Sequence, residues 1–192
     1  MSYKFNRNCW VDCEGYSLLA TEERIEQANR MFVDLKSSLW NNDRVSRLAD
    51  RLQNDLECSR QAMVALGIID GCAQCDVTAP QGSCCSRGIE NKYDLSLLVA
   101  NRFMGIDLPA THTRSESCHF LGSRGCQLRV RHMLCVDYLC PELERQLGPE
   151  RLIKLQLATA GEVETTFLLC EEIKKIISPW THANQSSASG ST

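Results

Sequence analysis

The chain has 192 residues, 43% of them hydrophobic, with a formal net charge of −3 and an isoelectric point near 5.8. That length supports one domain with an apolar core of its own, which excludes a miniature fold held together only by its cysteines. The mild acidity excludes a basic footprint spread over the whole domain, and no run approaches the roughly 18 to 20 apolar residues that cross a bilayer, so neither a nucleic-acid nor a membrane partner is expected.

Chain order begins with MSYKFNRNCWVDCEGYSLLATEE, where Lys4, Arg7, Asp12 and Glu14 interrupt any apolar run of secretory length. A cytoplasmic protein is therefore expected, and in a reducing compartment dense thiols point to metal or redox chemistry rather than disulfides. After Thr21, read as an N-cap, Ile25, Ala28, Phe32, Leu35 and Leu39 recur at helical spacing. Asn41, Asn42 and Asp43 interrupt, with Asp43 read as the next cap, and Val45, Leu48, Leu52, Leu56, Met63 and Leu66 resume the stripe. The pattern predicts an antiparallel helical hairpin over 21–69.

Residues 70–140 read as a cysteine-rich, mostly irregular region with one short helix from about Asp94 to Met104, stopped by Gly105 before Pro109. Gly148 and Pro149 announce a C-terminal helix over 148–178, with Ile153, Leu157, Ala160, Val163, Phe167, Cys170, Ile173 and Ile177 as its inward stripe and Ser178-Pro179 as its end. Gly161 costs that helix about 1 kcal/mol relative to Ala, which implies close approach of a partner or compensating packing. Residues 183–192 read as a disordered tail. The expected fold is thus mainly α, a single domain 1–192 in which a bundle of three long helices carries an irregular metal-binding insertion.

Twelve cysteines demand a reason. Eight stand inside the insertion: Cys72, Cys75, Cys84 and Cys85, then Cys118, Cys126, Cys135 and Cys140. A Cys-x2-Cys turn can aim two sulfurs at one tetrahedral centre, and a loop-rich segment this long needs something other than apolar burial to order it. All eight are candidate metal ligands, dividing naturally into two four-sulfur sites for Zn2+ or an iron-sulfur cluster. Consecutive side chains of an extended chain point to opposite faces, so Cys84 and Cys85 are expected to serve different centres, or one of them to be buried or redox-active. Arg87, Lys92, Arg114, Arg124, Arg129 and Arg131 lie near in sequence and are candidate donors to sulfur, with a solvated surface as the alternative. Cys58 and Cys170 are read as packing residues, Cys9 and Cys13 as one helical turn apart if their segment is helical, and His119, beside Cys118, as an alternative ligand.

The order Cys-x2-Cys, Cys-Cys, a following Glu, then SESCHFLGSRGCQLRVRHMLCVDYLC resembles the YkgJ-like cysteine-cluster family, a zinc- or iron-chelating domain. Cys118-His119-Phe120-Leu121, Gly125-Cys126-Gln127-Leu128 and Cys135-Val136-Asp137-Tyr138 carry the likeness, which leaves the long helices out. Here the eight residues DVTAPQGS separate the first pair from Cys84-Cys85, where the family commonly has about two, so the resemblance implies the ligands but not their grouping. It implies a zinc- or iron-binding protein; the eight-thiol spacing adds the expectation of an electron-transfer or redox-sensing role. The alternatives are a thiol redox enzyme, an accessory part of a protein-modifying methylase, or an interaction module that uses its helices on a protein partner and its zinc for structure.

Overall fold

The computed structural model describes residues 20–78 and 83–188, so Cys9 and Cys13 lie outside the described residues. The protein is mainly helical: seven α-helices and one two-stranded sheet occur among the described residues. Helices α1 (Thr21–Asp34), α2 (Lys36–Trp40) and α3 (Asp43–Ala65) occupy the region expected to form a hairpin. Ala20, not Thr21, holds the first cap position, where its N–H donates to the Glu23 carboxylate at 3.0 Å. Asn42, not Asp43, caps α3: standing just before the helix, its short side chain accepts from the N–H groups of Arg44 and Val45, both at 3.0 Å.

The stripe ends earlier than its spacing suggests. Gly67, at φ 72°, turns the chain, and a separate helix α4 (Ile68–Thr78) begins beyond it. The first cysteine pair is therefore helical, not irregular. Ile68, buried among Met63, Val136, Leu139, Leu143, Leu147 and Leu155, fixes that helix to its surroundings. At Gly71 an added Cβ would stand 2.7 Å from the Leu143 side chain, so this absent side chain lets α4 sit close.

Helix α5 (Leu95–Phe103) and its stop match the expectation: the Asp94 carboxylate accepts from Leu97 N–H at 2.9 Å, and Gly105 adopts φ 80° just past the end. Next come strands β1 (Leu121–Gly122) and β2 (Gly125–Cys126), an antiparallel pair in which Leu121 faces Cys126, then the short helix α6 (Met133–Asp137).

The last helix, α7 (Pro141–Ala188), departs most from expectation. It begins before Gly148, which at φ 68° and ψ 170° is a non-helical break between a short first limb and a long second one. It also continues past Pro179 and, as far as Ala188, through the residues read as tail. An internal proline costs about 3 kcal/mol, but here packing outweighs that: Ile177 is buried, Ile176 and Trp180 pack on the same core, and the Trp180 indole N–H donates to Asp34 at 3.0 Å.

Helices α3 and α7 run antiparallel, as the contacts Arg44–Glu172, Asp55–Thr165 and Ser59–Ala158 require. The α7 face toward α3 is partly polar. Ile153, Leu157 and Phe167, expected inside, are 57%, 73% and 62% exposed, whereas Leu155, Thr159, Glu162, Thr165 and Leu169 are buried. The reason lies on α3: Asp55 accepts from the Thr165 hydroxyl at 2.6 Å, and Ser59 donates to the Ala158 carbonyl at 3.4 Å. Gly161 belongs to this seam, since a Cβ there would stand 2.9 Å from the Asp55 carboxylate. Of the two cysteines read as packing, Cys170 is buried and Cys58 is exposed, on the side of α3 away from the core.

Two apolar cores result. The larger joins α1, α2, α3, α5 and the second limb of α7 with Phe120, Leu128 and Val130; the smaller joins the end of α3 with α4, α6, the first limb of α7 and Leu155 at the start of the second. No helix of the described residues is long and apolar enough to cross a membrane.

Polar groups fasten the irregular chain to this frame. The fully buried Asn101 of α5 donates to the carbonyls of Leu97 and Val130 and accepts from the N–H groups of Arg129 and Val130. Buried Arg24 of α1 donates to the carbonyls of Glu90, Asn91 and Tyr93, at 3.2, 3.2 and 2.9 Å. Replacing Arg24 by Met leaves those acceptors unsatisfied and should cost about 3 kcal/mol. A fall in the urea midpoint at unchanged slope checks this; a shift equivalent to under 1 kcal/mol would contradict it.

Candidate metal centre

Four separate pieces of chain deliver the thiols. Cys72 and Cys75, three residues apart on α4, share one helical face. Cys84 and Cys85 follow in a turn, Cys118 and Cys126 flank the β1–β2 hairpin, and Cys135 and Cys140 lie on and just beyond α6. The backbone aligns two of the pieces: Ser86 bridges Ser117, Arg87 N–H donates to Glu116, and Cys118 N–H donates to the Cys85 carbonyl at 2.8 Å. Within the hairpin, Gly125 at φ 103° closes the two-residue turn, and Gln127 N–H donates to the Phe120 carbonyl.

The thiols influence one another in two groups. Burial, followed by the neighbouring Cys84, Cys140 and Cys75, pushes Cys72 up to about 11. Cys85 is raised first by its hydrogen bond with Cys84, then by burial and by the nearby Cys126 and Cys135. Burial first, then Glu90, Cys126 and Cys135, pushes Cys118 up to about 12. Burial also raises Cys135, and raises Cys126 although that residue's overall surface is open. Cys72 feels Cys84, Cys140 and Cys75, whereas Cys85 and Cys118 feel Cys126 and Cys135. Cys84 belongs to both neighbourhoods, since it touches Cys85 and also raises Cys135. All eight are unbridged.

The two groups straddle the seam between the cores: Cys72 and Cys140 pack on the smaller, Cys85, Cys118 and Cys135 on the larger. Of the basic residues singled out from sequence, Arg131 is the one whose positive charge favours thiolate at Cys72, Cys126 and Cys135 alike. Its guanidinium donates to both carboxylate oxygens of fully buried Glu162, at 3.2 and 3.3 Å. Arg87 instead lines a separate cleft, and the Arg129 N–H is held by Asn101.

Tyr93 escaped sequence reasoning altogether. It is 1% exposed, its hydroxyl donates to the Cys135 sulfur at 3.7 Å and accepts from His132 N–H at 3.2 Å, and burial raises its ionisation far above the ordinary range. Nothing local marks it, because its partners lie about forty residues away. His119 does not join the thiols: one ring nitrogen meets the Pro109 carbonyl and the other faces Glu22. Among the described residues, the ligand atoms that close to within 4.8 Å of one another are those of Glu22, His112 and His119; the thiols are neighbours rather than a closed tetrahedron.

No family model matches the chain, and no curated protein or solved structure matches it either.

The Arg131–Glu162 pair yields a double-mutant test. Arg131→Met alone strands a buried carboxylate and should cost about 3–5 kcal/mol, whereas Arg131→Met/Glu162→Gln should recover most of that loss. Urea unfolding of this double variant and of each single one measures it; a double loss equal to the sum of the two single losses would show that the pair is not coupled.

Proposed function

We propose that this protein binds metal through its cysteine cluster, with iron-sulfur as the preferred content and an electron-transfer or redox-sensing role. The observation that carries the reading is the gathering of eight thiols from four chain segments into two neighbourhoods joined through Cys84 at the seam between the cores. The donor set fits: thiolates suit iron-sulfur centres and zinc, Arg131 offers positive charge beside both groups, and the Tyr93 hydroxyl supplies a hydrogen bond to the Cys135 sulfur. When bound, such a centre would supply one-electron chemistry if it is iron-sulfur, or a structural staple if it is zinc. The finer architecture, a bundle of three long helices bearing a metal-ordered insertion, and the likeness to the YkgJ-like family belong to the same proposal, as does a cytoplasmic location.

The rival reading, a thiol redox enzyme, needs a cysteine whose ionisation is lowered so that the thiolate attacks. Among the eight, every thiol with a resolved shift moves upward, which supports ligation over nucleophilic catalysis.

Protein purified without air should contain iron and acid-labile sulfide and be brown; colourless protein carrying zinc would keep metal binding but remove the electron-transfer role. Less than one metal atom per chain would end the proposal. Cys75→Ser should lose much of that metal and the ordering of the cysteine region while most of the far-ultraviolet helix signal survives.

Proton release is a separate check. In metal-free protein, thiols raised to about 11 and about 12 at Cys72 and Cys118 are protonated near neutrality, so metal uptake must expel their protons. Apparent affinity should therefore climb as pH rises and fall as it drops. Calorimetric titration in two buffers of different ionisation enthalpy counts the protons; heats independent of buffer would contradict the assignment of these thiols as ligands.

A further inference from the structure

Glu22, in the first turn of α1, meets His112 and His119 from the chain between α5 and β1, and the three ligand atoms all lie within 4.8 Å of one another. None of them belongs to the cysteine cluster. His119 is 0% exposed, and its Nε2 stands 2.9 Å from the Pro109 carbonyl. A carbonyl oxygen only accepts, so Nε2 carries a proton, and in the neutral ring Nδ1 is left as a bare lone pair. That Nδ1 is buried without a hydrogen-bond partner and faces Glu22 Oε1 at 3.6 Å, acceptor against acceptor. His112 Nε2 is likewise buried without a partner, and its ring lies 4.4 Å from that of His119, centroid to centroid. A nitrogen from each ring and a carboxylate oxygen gathered within 4.8 Å, with one nitrogen of each ring buried and unsatisfied, is unfavourable for neutral groups and favourable around a cation.

We propose that Glu22, His112 and His119 form a second metal centre, for a borderline first-row divalent cation such as Zn2+. Imidazole nitrogens suit such ions, and hard cations such as Mg2+ prefer an all-oxygen shell. The size fits. Donors about 2.1 Å from a tetrahedral ion stand about 3.4 Å apart, close to the 3.6 Å between His119 Nδ1 and Glu22 Oε1. The His119 Nε2–Pro109 hydrogen bond fixes the ring and its tautomer, as the outer partners of metal-bound histidines do. Two neutral imidazoles and one carboxylate leave the bound ion a net positive charge, opposite to that of four thiolates. Glu22 and His112 also line a cleft of about 340 Å3 whose wall includes Arg87, Glu90 and Asn91. A three-ligand site beside a cleft has room for water in its fourth position.

The test titrates full-length metal-free protein with Zn2+ and with Co2+ under reductant, comparing wild type, His112→Ala, Glu22→Gln and Cys75→Ser. Wild type should hold one more ion than His112→Ala, with thiolate-to-cobalt charge-transfer absorption equal in the two. Glu22→Gln should weaken that one ion at least tenfold; Glu22 is exposed, so this variant stays informative if His112→Ala fails to fold. Cys75→Ser should keep the extra ion while its thiolate absorption falls, so failure of the thiol reading and failure of this one are separable. Equal metal content in wild type, His112→Ala and Glu22→Gln would overturn the proposal. So would displacement of the extra ion by Mg2+, or a protonated His119–Glu22 ion pair persisting in the presence of Zn2+ by nitrogen-detected NMR.

Discussion

The buried carboxylate of Glu162 is the constraint around which the thiol region is organised. It sits in the middle of α7, fully covered, and its ion-pair partner is Arg131 from the chain between the hairpin and α6. A carboxylate so placed needs a cation, so the segment bearing Arg131 must return to α7 at that point. Asn101, gripping the backbone of Arg129 and Val130, sets the same segment from the other side. Together they hold Arg131 where the two thiol groups meet, and the charge that Glu162 demands also favours the thiolate form of Cys72, Cys126 and Cys135. A pair of this kind adds little net stability compared with apolar packing; its effect is to specify position.

Adjacent residues divide the chemistry. Cys84 and Cys85 stand in a turn and hydrogen-bond to each other, so Cys84 reaches both Cys72 and Cys135 while Cys85 lies beside Cys126 and Cys135. Cys118 and His119 part instead: the sulfur joins the thiols beside the hairpin, and the imidazole turns toward α1, Glu22 and His112. One irregular segment can therefore present soft sulfur donors on one side and nitrogen donors on the other. The bridge between Ser86 and Ser117 and the turn closed by Leu121 N–H on the Cys118 carbonyl set the course of this stretch.

The parts of this architecture legible in the sequence are those where burial and apolarity coincide. Ile25, Ala28 and Leu39, then Val45, Leu52, Leu56 and Met63, lie inside as their spacing predicts, and Asp94 and Gly105 bound α5 as their chemistry predicts. Periodicity fails on α7 because its inward face is partly threonine and glutamate, matched to Asp55, Ser59 and Arg131, so an apolar stripe read from spacing selects Ile153, Leu157 and Phe167 on the wrong side. It fails at α4 because cysteine, alanine and glycine give that helix little amphipathic signal. The thiol set is visible in spacing, but its division is not, since that depends on Ser86–Ser117 and on the docking of α4 against α7. Tyr93, Asn101 and the Glu22–His112–His119 set were out of reach for the same reason: each is made by residues far apart in the chain.

Should the thiols bind metal as proposed, the two-core arrangement would give them a mechanical role. The smaller core is built from the end of α3, α4, α6, the limb of α7 ahead of Gly148 and the start of the limb beyond it, and its buried apolar set is only Met63, Ile68, Val136, Leu139, Leu143, Leu147 and Leu155. Gly148 breaks the helix between this limb and the main bundle, so helical continuity does not enforce their relative orientation. The first thiol group rides on the smaller core and the second on the larger, touching through Cys84 and Cys85. Closing either group around a metal would tie chain from α4 or the hairpin to chain from α6, and tying both would lock the two cores across the seam. In such a molecule metal binding and the ordering of the smaller core are one equilibrium, since any ligand that prefers the docked arrangement stabilises it by mass action.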